Sequence, residues 1–339
     1  MKIGQGKLSR RRLLGGAAAA GAALPVLHEV VPHQRLHGVD SAAAQGHETH
    51  AQPAHAGVVG RVDPRINGFD PQELLRDFDE GRVVNGVREW ELVAEEKEIE
   101  VAPGVKYAAW AYNGRVPGPT LRAREGERLR IRFTNGSRHP HTIHFHGIHT
   151  SRMDGIPGVG AGDIAPGRST TYEFDATPFG LHLYHCHSMP LAEHIAKGLY
   201  GAFVIDPKQK RADADELVMV MNGFDTDADG SNNFYTVNGR SLYYARYPIR
   251  VSRAQTVRIY LANLTEFDLI NSFHLHADFF RYQPTGTGEN WEYTDTVMQC
   301  QGQRGVLELE FANTGLFMFH AHQSEFAELG WMGFFDVRE

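Results

Sequence analysis

From residue 87 onward, apolar and polar residues alternate in short runs, as in "REWELVAEEKEIEVA" (residues 88–102) and "ERLRIRFTN" (127–135). A period of two marks a strand with one buried face. Turn residues in "GRVPGPTLRAREGE" (114–127) interrupt these runs. "IAPGRSTTYEFDA" (164–176) is a turn followed by an alternating strand, and "GAFVIDP" (201–207) closes a first domain. One short helix is predicted over residues 70–81, "DPQELLRDFDEG", with Asp70 as N-cap and Gly81 just past its end.

The same grammar then runs a second time. "ELVMVMNGF", "TVNGRS", "QTVRIYLANL" and "GVLELEFANTG" repeat strand, turn, strand, and "GFFDV" (333–337) answers "GAFVIDP". "HTIHFHG" (141–147) pairs with "NSFHLHA" (271–277), and "YHCHSMPLAEHIAKGLYG" (184–201) with "FHAHQSEFAELGWMG" (319–333). This is an internal duplication with an offset of about 130 residues. Each half has the size of a small β-sandwich. The expected layout is all-β. Residues 1–56 are a signal and His-rich linker, 57–86 an extension carrying the helix, and 87–207 and 208–339 two β domains.

Length changes this picture little, since 339 residues suit two domains. A net charge of −7 offers no basic footprint for nucleic acid. "SRRRLLGGAAAAGAALPVL" (9–27) is a basic cluster before a small-residue apolar stretch. A stable membrane span needs about 20 strongly apolar residues, so export is the better reading. Arg10 and Arg11 resemble the pair of a twin-arginine signal, which predicts a periplasmic or secreted protein. The linker histidines His28, His33, His37, His47, His50 and His55 read as solvated, with metal scavenging as the alternative. The two cysteines are Cys186 and Cys300. A bridge between them would waste a thiol flanked by imidazoles; Cys300 reads as a buried small residue.

Thirteen histidines follow the linker, and eight of them form His-x-His pairs: His144/His146, His185/His187, His274/His276 and His320/His322. In a strand, residues i and i+2 face the same way, so each pair presents two imidazoles together. Neutral imidazole suits copper, zinc and iron. A copper that transfers electrons sits in a trigonal site of two histidines and one cysteine. Cys186 supplies the thiolate, and His194 and His141 the imidazoles. Leu199 falls at the axial position, where it cannot ligate; Met189 is the alternative there.

On these residues the chain resembles the two-domain multicopper oxidases, the small laccase-like branch of the cupredoxin superfamily, over roughly residues 87–339. The resemblance implies two Greek-key cupredoxin barrels and four copper ions per protomer. It assigns His141, Cys186 and His194 to type 1 copper, and His144 and His274 to type 2. His146, His185, His187, His276, His320 and His322 go to the type 3 pair. Electrons would pass from Cys186 through His185 and His187 to the cluster, where dioxygen becomes water. Asn271 and Ala321 stand where a second type 1 site would need His and Cys. The resemblance also implies a head-to-tail homotrimer that closes the cluster between neighbouring subunits.

Copper nitrite reductases are the rival. Their pattern has Asp in place of His144 and a small residue in place of His187. Their interface copper needs three imidazoles, and eight are present here. The expected donors are phenols and aromatic amines at an exposed edge of His194. Oxidation of Cu(I), Fe(II) or Mn(II) is the alternative, although the eight methionines are scattered and form no insert. An electron carrier or a copper store would not need the eight cluster histidines. Asp278, Glu325 and Glu328 are candidate proton relays, and Asp154 a weaker one. His139, His149 and His182 read as supporting or incidental.

Overall fold

The computed structural model describes residues 67–339. The signal-like segment, the histidine-rich linker and residues 57–66 of the extension lie outside the described residues.

Each half of the duplication folds into a pair of packed β-sheets. In the first, Val87–Ala102 pairs in parallel with Arg128–Asn135, which pairs antiparallel with Ser169–Asp175. The facing sheet runs through Thr120–Arg124, Tyr200–Asp206, Gly180–His185 and His144–Phe145. Alternation does the work expected of it: in Arg128–Asn135 every second side chain (Leu129, Ile131, Phe133) is fully buried. These three join Phe145, Tyr184, Cys186 and Leu199 in one apolar cluster.

The second half repeats this plan. Ile270–Leu275, Gly315–His320 and Met332–Arg338 lie side by side in one sheet. Asp215–Phe224, Val257–Asn263 and Arg304–Leu309 lie in the other. A shared apolar cluster joins the halves: Ile99, Val101, Leu183 and Val204 pack with Val218, Val220, Tyr260 and Val306. Arg240, fully buried, crosses the same seam to Glu100 Oε1 at 2.6 Å. Among the described residues, no helix is long and apolar enough to cross a membrane.

The predicted helix is shorter than expected, covering only Pro71–Leu74. Asp70 does cap it, accepting from the Gln72 N–H at 2.9 Å. Strand pairing then wins over helix: Phe78 and Asp79 pair in parallel with Thr120 and Leu121. Gly81 sits in the following turn at φ +58°, its N–H donating to Asp79 Oδ1.

Cys300 is exposed, not buried. It ends the strand Thr296–Cys300, in which Val297 and Gln299 point inward, so period two turns Met298 and Cys300 outward. Both cysteines are free thiols, which removes the disulfide alternative.

Candidate metal centre

Cys186 follows directly on the strand Gly180–His185, His141 precedes His144–Phe145, and His194 lies on the short helix Leu191–Ala196. The fold closes these three into a triangle. His194 Nδ1 is 3.1 Å from His141 Nδ1 and 3.2 Å from Cys186 Sγ, and the third edge is 3.7 Å. Such a triangle encloses a point about 2 Å from each corner, which is the metal–ligand range. Burial lowers the His141 pKa to about 3, with His194 adding to the effect, and burial lowers His194 too. Both rings are therefore neutral and able to ligate. Burial raises the Cys186 thiol, opposed by backbone N–H groups of Thr142 and Ser188.

Leu199 is fully buried in the same cluster as Cys186. Its carbonyl accepts the Cys186 N–H at 2.9 Å, and its N–H donates to His194 O at 3.3 Å. Met189, the alternative axial residue, is 71 % exposed. His194 is 3 % exposed and keeps a narrow edge at the surface, whereas His141 is fully buried, its Nε2 enclosed without a partner. The Trp110 indole meets both rings edge-on, with centroids 4.8 Å from His194 and 5.1 Å from His141.

The eight paired histidines form two matching groups. His144 stands opposite His185, and His274 opposite His320, in antiparallel strand pairs. Around His144, the rings of His146, His185 and His187 lie at 5.1, 5.3 and 5.3 Å. Around His274, the rings of His276, His320 and His322 lie at 5.0, 5.3 and 5.2 Å. The backbone supports match as well. The His187 N–H donates to Thr142 Oγ1 at 2.9 Å, and the His322 N–H to Ser272 Oγ at 2.7 Å.

Hydrogen bonding fixes which nitrogen is free. Nδ1–H of His185 donates to Cys186 O at 2.8 Å, and that of His320 to Ala321 O at 2.6 Å. Nδ1–H of His144 lies 2.9 Å from Asp154 O, and that of His274 lies 2.8 Å from Thr296 Oγ1. In all four, Nε2 then carries a bare lone pair. Two such lone pairs face a partner: His146 Nε2 lies 2.9 Å from His185 Nε2, and His276 Nε2 lies 2.9 Å from His320 Nε2. Burial, with His185 adding to it, lowers His146 to about 2, and burial lowers His185 to about 4. Neutral imidazole nitrogens converging in this way are a donor set for a cation. A buried His187 Nδ1 without a partner fits the same demand. The residues therefore fit copper.

Asp154 is better placed than the sequence suggested. The turn Ser151–Met153 brings its Oδ1 2.9 Å from His144 Nδ1 and 3.6 Å from His149 Nε2. Only its spacing after "HTIHFHG" could have signalled this. Asp278, two residues past His276, is partly buried, and burial raises its pKa. Glu325 and Glu328 are exposed on the helix Ser324–Glu328. His182 is buried between the carbonyls of His146 and Pro178. His139 lies half-exposed against Trp110.

Two family models, each described as multicopper oxidase, match residues 93–210 and 213–339. The chain belongs to the multicopper oxidase family. The family is one of copper-dependent oxidoreductases, and this chain is built from two cupredoxin-like domains. A solved structure described as a multicopper oxidase is 59 % identical, with a TM-score of 0.80, covering 82 % of this chain and all of that one. The blue copper oxidase from Nitrosomonas europaea is 27 % identical with a TM-score of 0.67, covering 74 % of this chain and 86 % of that one. The copper-containing nitrite reductase of Neisseria meningitidis is 32 % identical over 205 residues, 55 % of this chain and 52 % of its own. Laccase-2 of Botryotinia fuckeliana is 40 % identical over 135 residues, 39 % of this chain and 22 % of its own. The chain spans about half the length of the first curated relatives it matches.

In this multicopper oxidase the second domain keeps the frame of a thiolate site without its ligands. The Ala321 N–H donates to Trp331 O at 3.1 Å, as Cys186 does to Leu199. Asn271, in the place of His141, gives its Nδ2–H to Thr265 Oγ1 at 3.0 Å and accepts the Ser272 N–H at 2.8 Å.

Proposed function

We propose that this chain is a laccase-type oxidase, taking single electrons from phenolic or aromatic amine donors and reducing dioxygen to water. The observation that carries the proposal is the pair of matched groups holding eight imidazoles in all. A single interface copper would leave most of these polar rings without a partner, at a cost.

Copper supplies one-electron redox chemistry at the thiolate site and dioxygen reduction at the histidine cluster. His141, Cys186 and His194 hold one ion. His144 and His274 hold a second, and His146, His185, His187, His276, His320 and His322 hold a pair, giving four per chain. Cys186 is joined through the backbone to His185 and His187, so thiol and cluster share a short covalent path. The His185 Nδ1–H to Cys186 O bond adds a second link. Asp154 keeps the proton of His144 on Nδ1, leaving Nε2 free, and is the first candidate for proton delivery. Asp278 is the second; Glu325 stands further out on its exposed helix.

The two groups meet between subunits in a head-to-tail trimer. In support, each set of converging nitrogens found among the described residues draws on one domain only. The second-domain group also lies on an exposed face, with His276 and His322 exposed and Ile270 and Met298 of the same sheet at 41 % and 64 % exposure. Export by the twin-arginine route completes the proposal; replacing Arg10 and Arg11 by Lys should retain the protein in the cytoplasm.

Similarity to nitrite reductases favours a second reading, reduction of nitrite. The deciding experiment is dioxygen uptake by copper-loaded protein given a phenol, beside an anaerobic cell with nitrite. Uptake without peroxide release supports the oxidase. Nitrite consumption without uptake replaces it with the reductase.

A further inference from the structure

We propose that a cavity at the connection between the two domains binds a phosphate group, clamped between the guanidinium groups of Arg124 and Arg211. The cavity holds about 410 Å³, and five cations line it: Arg122, Arg124, Lys210, Arg211 and Arg258. Three acids line it too, Asp206, Asp213 and Glu216. Such a basic excess runs against a chain of net charge −7. Which of these charges are already cancelled decides what the cavity takes.

All three acids are already paired. Arg122 donates to Asp206 from Nε at 2.7 Å and from Nη2 at 3.0 Å, and to Glu216 from Nη1 at 2.7 Å. Arg258, its side chain 4 % exposed, donates to Glu216 at 3.0 Å and to Glu308 at 2.6 Å. Its remaining Nη2 donates to Ala212 O at 3.1 Å, in the connection itself. Lys210 pairs with Asp213 at 2.6 Å.

Arg124 and Arg211 differ. Among the described residues neither forms an ion pair; each is held by a backbone carbonyl instead. Arg124 Nη2 donates to Lys208 O, and Arg211 Nη2 to Gly286 O at 2.9 Å. The Arg211 guanidinium also lies over the Phe179 ring, 5.9 Å from its centroid. A carbonyl carries no net charge, so it fixes the direction of a guanidinium without cancelling it. Both charges therefore remain to act on the cavity they line.

Two uncancelled guanidiniums match a tetrahedral dianion. Each keeps several N–H donors after its carbonyl bond, in the planar fork that suits phosphate oxygens. A phosphate group carries close to two charges near neutral pH. The volume exceeds a bare phosphate and also admits a small organic group attached to it. Arg124 ends the first-domain strand Thr120–Arg124, and Arg211 belongs to the connection between Asp206 and Asp215. A ligand held by both fastens that connection, and binding only the folded state raises the melting temperature.

The test titrates full-length copper-loaded protein in a calorimeter with inorganic phosphate and, separately, with glycerol 3-phosphate. Sodium chloride holds the ionic strength constant, so general attraction to positive charge is screened equally throughout. Saturable binding of one anion per chain, with a raised melting temperature, is the expected result. Arg124→Gln and Arg211→Gln should each weaken it about tenfold or more while keeping copper content and blue absorption. Arg211→Lys, which keeps the charge and loses the fork, should weaken it less. Tighter binding of glycerol 3-phosphate assigns the site to organic phosphates, and equal or weaker binding to free phosphate; both sustain it. No saturable binding of either anion overturns the proposal. Wild-type affinity in both Gln variants also overturns it, because the anion is then held elsewhere, for example at copper. Should the Gln variants not fold, Arg124→Lys and Arg211→Lys carry the test, and wild-type affinity in both overturns it.

Discussion

His144 stands directly opposite His185 in an antiparallel strand pair. The backbone thus sets these two rings side by side before any metal arrives, and the same register recurs at His274 and His320. A site prepared in this way separates into parts that single substitutions can address.

Cys186→Ser should abolish the blue absorption and donor oxidation while leaving cluster copper bound. His187→Ala should do the reverse, keeping the blue band and stopping dioxygen reduction. Visible spectra, copper analysis and oxygen-electrode traces check both. A His187→Ala protein that consumes dioxygen normally would remove the cluster assignment.

Asp154→Ala takes the carboxylate from beside His144 Nδ1, leaving only the backbone carbonyl of residue 154 there, without touching the thiolate triangle. Loss of such a support costs roughly 10–100-fold in metal affinity or activity. The expected result is weakened type 2 copper, seen by electron paramagnetic resonance and copper titration, with the blue band intact. An unchanged type 2 signal and activity would leave Asp154 without a role.

Leu199→Met offers a thioether where the triangle has an apolar neighbour. The change nearly conserves volume and should cost less than about 1.5 kcal/mol. An axial donor should lower the reduction potential of the blue site. Redox titration of the band checks this; a potential equal to wild type would show that residue 199 does not reach the metal.

Glu266 bears on stability rather than catalysis. Burial raises its pKa to about 7. Because the folded state holds that proton more tightly than the unfolded chain, this residue weakens the fold as pH rises from the ordinary carboxylate range to about 7. Glu266→Gln should therefore raise the melting temperature at pH 8 and leave it nearly unchanged at pH 4. Equal shifts at both values would refute the assignment.

Much of the site was legible because strands have a period of two. His-x-His needs no tertiary knowledge to predict a shared direction, and the second set of motifs fixed where the duplication falls. Long-range contacts were not legible. The helix forecast over 70–81 lost to a parallel pairing with Thr120 and Leu121, residues far along the chain. Cys300 looked like core until its strand register turned it outward. Trp110 lies in "KYAAWAY", with nothing local to tell that its indole meets both imidazoles edge-on. Asp154 reaches His144 only because the turn Ser151–Met153 folds back.

The second domain's lapsed thiolate frame has one more consequence. With Asn271 tied to Thr265 and Ser272, and Ala321 where a thiol would be, a chain can contribute a single chromophore whatever its total metal load. The depth of colour in a preparation is thus a tally of loaded chains, and its ratio to total copper reports how completely the colourless positions have been filled.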